Sequence, residues 1–267
     1  MNSVQTLLNK GLSLLILIVV LLTTLPCKAL ESKTINLGFP ENFPPFFFVN
    51  DDGSHGGISY DIVMQLLNSL GYEVTTIQYD NMQSLLVDME MGSLDIAVHL
   101  TATKSRSEIA FFTKTPHIYE TQNFIVRADA PIQYSGQLLQ IASKRIGAIN
   151  GWTHGEDFDN AKFLNKVFVN DSVQQMKGLM SGRYDVAVNN PLFFFDIAEH
   201  MQIAKAFKVL QPEIANLPVN IAISKKTTEA QQLVKTLDKA VQQFIETDSY
   251  QMLLLQYGFL SQDEASN

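Results

Sequence analysis

The sequence predicts an α/β protein with two similar lobes joined by two extended stretches of chain. Three observations carry this prediction: strand-like and helix-like segments alternate, the alternation occurs twice, and an extended apolar segment follows each series. Strands that alternate with helices form a largely parallel sheet covered by helices. With 46% hydrophobic residues among 267, the chain has enough apolar side chains for two separate cores.

The first 29 residues are interpreted as a secretory signal peptide. Lys10 precedes an apolar run over residues 14–22, and small residues lead to an expected cleavage after Ala29. The run is shorter than the about 20 residues that cross a bilayer. Lipid attachment at Cys27, the single cysteine, is the alternative, although Pro26 and Thr24 depart from the usual lipoprotein pattern. The predicted location is the periplasm.

The net charge of −8 argues against nucleic acid as a partner. Cleavage would remove two lysines and make the chain still more acidic. It would also remove the only cysteine, so no disulfide is expected.

The first series predicts a βαβαβ unit. Its segments are a strand at Thr34–Gly38, a helix at Ile58–Leu70, a strand at Glu73–Gln78, a helix at Met82–Met91 and a buried strand at Ser93–Val98.

The second series has the same order. Its strands are Arg145–Ile149, Lys166–Val169 and Asp185–Val188, and its helices begin near Glu156, at Asp171 and at Pro191. Gly-Arg-Tyr-Asp at 182–185 repeats Gly-Ser-Leu-Asp at 92–95, each at the end of a helix and the start of a strand.

Extended segments at Thr121–Arg127 and Pro218–Ser224 would form the two crossings, with C-terminal helices at Glu229–Phe244 and Asp248–Tyr257. We therefore expect two Rossmann-like lobes joined by a two-strand hinge, the first from residues 30–123 and 221–267 and the second from 124–220. Ligands of open α/β sheets bind at such a junction.

The segment 95–106 is the most informative for function. A buried strand there leads into a loop with three hydroxyl groups and one arginine, Arg106. The planar guanidinium of arginine can hold a carboxylate through two parallel hydrogen bonds. The alternative is a surface arginine beside a helix cap.

The mature chain resembles the bacterial family 3 extracellular solute-binding proteins, which feed polar amino acids to ABC importers. The resemblance rests on Pro44-Pro45-Phe46, Gly57-Ile-Ser-Tyr-Asp61, Gly92-Ser-Leu-Asp95, Thr103-Lys-Ser-Arg106 and Phe112, in this order and spacing. It implies a periplasmic-binding-protein-like II fold, a small ligand with a carboxylate, importer membrane subunits as partners, and no cofactor or metal. A monomer suffices for this function.

The resemblance also implies that Arg106 holds the carboxylate of the ligand, with Thr101 beside it and Phe43 as an aromatic wall. In the second lobe Gly151-Trp152-Thr153 matches the segment that completes the carboxylate site. The expected ligand-binding residues are Phe43, Met82, His99, Thr101, Arg106, Trp152, Thr153 and Asn190.

Two departures bear on the ligand. The family usually has a carboxylate for the ligand ammonium where this chain has Asn190, and the second wall is Met82 rather than an aromatic residue. Either another acid, such as Glu156 or Asp157, takes this role, or the ligand lacks an α-ammonium group.

Other candidates have alternative interpretations. His99 is expected to face the cleft, His154 is interpreted as a loop residue, and the remaining histidines, His55, His117 and His200, as solvent-facing. Trp152 either covers the ligand or packs the second lobe. The side chains of Phe193–Phe195 are expected to fill core.

Common zinc-protease, thiol, serine-hydrolase and P-loop motifs do not occur in the sequence, and no enzyme is predicted. Two alternatives remain open. One is a ligand-sensing module that acts on a separate membrane partner. The other is a dehydratase-like enzyme on the same fold, with Glu156, His99 or His154 as its acid or base.

Overall fold

The computed structural model describes residues 33–260, which form twelve β-strands and eight α-helices. The strands are β1 (Lys33–Phe39), β2 (Phe48–Val49), β3 (His55–Gly56), β4 (Tyr72–Gln78), β5 (Ile96–Leu100), β6 (Ala110–Phe112), β7 (Ile118–Arg127), β8 (Arg145–Ile149), β9 (Asn165–Val169), β10 (Val186–Asn189), β11 (Phe207–Val209) and β12 (Ala215–Ser224). The helices are α1 (Ile58–Ser69), α2 (Met82–Met91), α3 (Arg106–Ile109), α4 (Glu156–Asn160), α5 (Ser172–Met180), α6 (Pro191–His200), α7 (Ala230–Phe244) and α8 (Asp248–Gln256).

The strand order confirms two like lobes. A continuous path of paired strands runs β4-β1-β5-β12-β7-β10-β8-β9, with β6 paired to β12, β11 paired to β7, and β2 and β3 in a separate hairpin. In the first lobe β1 lies between β4 and β5, and in the second β8 lies between β9 and β10. The first strand of each series is therefore central, and β1–β5, β8–β9 and β8–β10 pair in parallel.

The repeated Gly-x-x-Asp motif has the same structural role in both lobes. Gly92 and Gly182 adopt φ values of 85° and 70°, which L-residues with side chains rarely accept. Asp95 then accepts a hydrogen bond from the N–H of Asn36 on β1, and Asp185 accepts one from the N–H of Arg145 on β8, each at 2.9 Å. The motif thus links the start of β5 to β1 in the first lobe and the start of β10 to β8 in the second.

The strands β7 and β12 form the connection between the lobes. They pair antiparallel from Ile118↔Val219 to Gln122↔Ala215. Beyond this segment β7 continues along β10, whereas β12 continues along β5 and β6. Because each strand runs from one lobe into the other, the boundaries at 123/124 and 220/221 stay a prediction.

Each lobe has its own buried apolar clusters. Ile35, Leu37 and Val63 belong to the first lobe, and Phe124, Ile146 and Val186 to the second. Phe193 and Phe194 are buried and Phe195 is partly buried, as expected for core residues. The third strand was predicted at Ser93–Val98 but begins at Ile96, because residues 92–94 donate their N–H groups to the carbonyl of Asp88 and close the end of α2.

Within residues 33–260, the structure contains no helix that is both long and apolar enough to cross a membrane. The predicted signal peptide and Cys27 lie outside the described residues.

Candidate functional site

Arg106 begins helix α3 and points into the junction of the lobes. Its side chain is buried, with 6% of the residue exposed. Nη1 donates to the carbonyl of Thr101 at 2.9 Å, and Nη2 donates across the junction to the carbonyl of Gly151 at 2.8 Å. In the described part of the chain it forms no ion pair with a carboxylate. Burial lowers the pKa of Arg106 to about 10, and the negative charges of Asp159 and Glu120 offset only part of this effect.

A small cavity lies against this guanidinium, and seven of the eight expected ligand-binding residues line it. Its free space is about 30 Å³, which is room for about two water molecules. We call it the inner cavity; it is lined by Phe43, Phe47, Met82, His99, Thr101, Arg106, Glu120, Trp152, Thr153 and Leu217.

The indole of Trp152 lies between Phe43 of the first lobe and Phe193 of the second. Its ring centroid lies 4.7 Å from that of Phe43 in an edge-on arrangement, and its plane is stacked with Phe193 at 6.1 Å. The indole packs against core clusters of both lobes, including the one that contains Met82. Trp152 therefore packs the second lobe, as one of the two interpretations expected, and it also packs the core of the first lobe.

A larger cavity of about 930 Å³ also borders Arg106. Residues 101–108 of the first lobe and 151–156 and 158–160 of the second face each other across it. We call it the outer cavity. Asp159 on its wall accepts hydrogen bonds from the hydroxyl of Thr153 and from the N–H of His154, so its carboxylate already has two partners.

Six buried side chains form a continuous hydrogen-bonded chain beside the inner cavity. We call it the buried polar chain. Its successive contacts are His117 Nε2 to Ser59 Oγ at 3.0 Å, Ser59 Oγ to His99 Nδ1 at 2.8 Å, His99 Nε2 to Glu120 Oε2 at 2.9 Å, Glu120 Oε1 to Gln122 Nε2, and Gln122 Oε1 to His154 Nδ1 at 2.7 Å.

When Glu120 is ionised, one arrangement of protons gives each of these five contacts one donor and one acceptor. If His117, Ser59 and His99 each donate toward Glu120 from one side, and His154 and Gln122 donate from the other, the two terminal ring nitrogens are bare acceptors. These two atoms, Nδ1 of His117 and Nε2 of His154, are the buried ring nitrogens without a partner among the described residues. In this arrangement Glu120 accepts at both oxygens.

Burial dominates the charge states along the chain. It lowers the pKa of His99, His117 and His154 to about 3, so that these rings are neutral at neutral pH. Burial raises the pKa of Glu120 to about 8, although Arg106 and Gln122 act in the opposite direction. Glu120 is thus a carboxyl group that can gain or lose its proton near neutral pH.

Two histidines are more buried than the sequence indicated. His117 was expected to face solvent and is fully buried, because its ring bonds Ser59 and its N–H donates to Val219. His154 does lie in the loop before α4, as interpreted, but it is buried there, and Gln122 binds its ring.

Asn190 lines neither cavity, so its expected place in the ligand site stays a prediction. It caps helix α6: its Oδ1 accepts from the N–H of Phe193 at 3.1 Å, and its Nδ2 donates to the carbonyl of Thr121 at 3.0 Å. Of the proposed substitute acids, Glu156 and Asp157 are exposed. Glu156 lines the outer cavity, and Asp157 lines neither of the two.

Glu120 is the site residue that the sequence reasoning missed. A signal was present: Ile118, Glu120, Gln122 and Phe124 alternate along β7, so they lie on one face of the strand. Two polar residues on the same face as two buried apolar ones indicate either a solvated face or a buried polar site.

The chain resembles known proteins over most of its length. Residues 35–260 match the sequence profile of the bacterial extracellular solute-binding proteins, family 3. The L-cystine-binding protein TcyK of Bacillus subtilis (strain 168) is 22% identical over 235 residues, which cover 84% of this chain and 83% of that protein.

Solved structures share the fold at low sequence identity. A mutant of ArgBP from T. maritima superposes with a TM-score of 0.71 at 18% identity, over 85% of this chain and 96% of that one. A histidine kinase sensor domain with similarity to periplasmic binding proteins superposes with a TM-score of 0.74 at 16% identity, over 85% of this chain and 96% of that one. The profile match covers most of the described residues, and the two-lobed fold agrees with it. The chain belongs to the bacterial extracellular solute-binding proteins, family 3.

Proposed function

We propose that this protein captures a small ligand with a carboxylate, an amino acid or a close analogue, in the cleft between its lobes and delivers it to the membrane subunits of an ABC importer. The observation that carries the proposal is Arg106, a buried cation at the lobe junction with no carboxylate partner in the described part of the chain. The periplasm, reached through the predicted signal peptide, is the proposed location.

The energetics favour an anion at this position. A buried charge without a counter-charge costs several kcal/mol. A carboxylate that replaced the carbonyls of Thr101 and Gly151 as acceptors would form two charge-assisted hydrogen bonds. Since these carbonyls belong to different lobes, the same anion would change the contacts between the lobes. Such differential contacts are what allows a ligand to select one conformation.

Ligand entry requires a rearrangement of the cleft. The inner cavity, at about 30 Å³, is too small for an amino acid, and Trp152 occupies the adjoining space. We propose that the predicted lobes, residues 30–123 with 221–267 and residues 124–220, separate about β7 and β12 and withdraw Trp152 from Phe43.

A thermal-shift screen of the mature protein tests the proposal. The panel contains amino acids including L-cystine, their deaminated analogues, small organic acids and short peptides. A ligand at about 1,000 times its dissociation constant adds about 4 kcal/mol to stability, or about 8 to 16 °C in Tm for a chain of this size. Absence of any carboxylate-dependent shift would contradict the proposal.

Three arginine variants refine the test. Arg106→Ala should abolish the shift, and Arg106→Lys should restore little of it because an ammonium cannot make two parallel bonds. Arg183→Ala is the control, since Arg183 lines neither cavity. Uptake of the identified ligand by cells with and without this protein then tests the importer role.

A dehydratase-like enzyme is the second candidate, and Glu120 is the observation that favours it. Burial raises the pKa of this cavity-lining carboxyl to about 8, so it can carry the proton that a general acid needs at neutral pH. Proton NMR of each bound acid after prolonged incubation distinguishes the candidates. An unchanged spectrum supports binding, whereas loss of water from the ligand supports catalysis.

A further inference from the structure

The inner cavity pairs one carboxyl group with one guanidinium. Among its ten lining residues, Glu120 is the only acid and Arg106 the only arginine or lysine. Glu120 lies on β7, where the chain passes between the lobes, and only 6% of the residue is exposed. The cleft thus offers a site for a negative group and a site for a positive one.

The carboxyl of Glu120 has capacity for a further donor. His99 approaches Oε2 at 2.9 Å and Gln122 approaches Oε1, whereas an ionised carboxylate accepts about four hydrogen bonds. Both neighbours are neutral, because His99 has a strongly lowered pKa and Gln122 is an amide. No cation in the buried polar chain therefore already neutralises Glu120.

We propose that Glu120 recognises the ammonium group of the ligand, so that the cleft selects zwitterionic amino acids over their deaminated analogues. This inference rests on the proposed function, since it needs a carboxylate held by Arg106. Glu120 supplies the negative charge that Asn190 lacks, and it lies on β7, a strand that connects the lobes.

Proton release on binding follows from the charges around Glu120. The groups that face it are His99 from β5, Arg106 from α3 and, through Gln122, His154 from the second lobe; His117 joins through Ser59. In the free protein the pKa of Glu120 is about 8, so at pH 7 the group holds a proton. An ammonium beside it favours the ionised form, and the proton leaves.

Calorimetry of matched ligand pairs tests the inference. The pairs are L-glutamine with 4-carbamoylbutanoate, L-arginine with 5-guanidinopentanoate and L-cystine with 3,3′-dithiodipropionate, followed by the other amino acids with their analogues. Each is titrated in two buffers of different ionisation enthalpy. Binding of the amino acid should release about one proton at about pH 7. Below about pH 8 its affinity should therefore increase as the pH is raised, by up to about tenfold per pH unit. The deaminated partner should release none.

Glu120→Gln is the decisive variant because the amide has the shape of the protonated acid. It should lower the affinity for the amino acid by about 10- to 150-fold, the range for a hydrogen bond to a charged group. The affinity for the deaminated analogue should change by less than about threefold. Glu156→Gln is the rival variant, since Glu156 is one of three exposed acids, with Glu108 and Asp159, on the wall of the outer cavity. Urea unfolding of each variant confirms that it is folded.

The outcomes separate this inference from the proposed function. If carboxylates bind and depend on Arg106, but Glu120→Gln affects both members of a pair equally or Glu156→Gln affects the amino acid instead, the inference is wrong and the function stands. Binding of deaminated acids alone also overturns it. If no member of any pair binds, the proposed function fails with it.

Discussion

Replacement of His117 by glutamine should make the folded protein less sensitive to acid. His117 is fully buried, its Nε2 lies 3.0 Å from Ser59 Oγ, and its Nδ1 has no partner among the described residues. Burial lowers its pKa to about 3, against an ordinary value of 6.5. A glutamine amide can still contact Ser59 but takes up no proton in this range.

Proton linkage sets the sign and size of the change in the free energy of unfolding with pH. Well above pH 6.5 the ring is neutral in both states and contributes nothing to the pH dependence of stability. Below pH 6.5 the unfolded chain binds a proton that the folded protein refuses until about pH 3. The free energy of unfolding therefore falls as the pH falls, by about 2.5 kcal/mol between about pH 7 and pH 4.5 for this single group. Glu120 acts in the opposite direction, because its raised pKa favours the folded state at low pH and that contribution is lost as the pH rises through about 8.

Urea unfolding at about pH 7 and about pH 4.5 measures the effect. The wild type should lose about 2.5 kcal/mol more than His117→Gln between the two conditions. His200→Gln is the matched control: the side chain of His200 is 79% exposed, and its pKa is raised by its contacts with Asp196, so any change should be small and of opposite sign. Equal losses in the wild type and His117→Gln would refute the argument that this ring is buried and neutral.

Two further predictions concern the cleft. Trp152 is the only tryptophan of the chain, and its ring centroid lies 4.7 Å from that of Phe43. Ligand binding should therefore shift the intrinsic tryptophan fluorescence, and Trp152→Phe should remove this signal. An unchanged spectrum at saturating ligand would show that Trp152 stays in place. Asn190→Ala should lower the free energy of unfolding by about 1 to 2 kcal/mol, since it removes the cap of α6, while ligand affinity changes less than about threefold. Calorimetry that shows a large affinity loss at full folding would return Asn190 to the ligand site.

Local signals in the sequence determined most of the fold. Periodicity set the order of strands and helices, and short-range contacts fixed several ends: Asn81 and Asp171 cap α2 and α5 through N–H groups three residues away, at 2.9 and 2.7 Å. The repeated Gly-x-x-Asp indicated two like lobes. Arg106 was predicted to bind an anion because its residue type and its position after a buried strand both indicate an anion site.

The tertiary structure alone decided how the polar residues near the cleft are used. Ser59 meets His117 across 58 positions of sequence, and Arg106 meets the carbonyl of Gly151 across 45. Polarity in a sequence indicates that a side chain needs partners, but burial and the choice of partner depend on which distant segments meet. For this reason the sequence predicted an anion-binding role for Arg106, whereas only the folded chain shows that Glu120 lines the same cavity as Arg106 and that Asn190 does not line it.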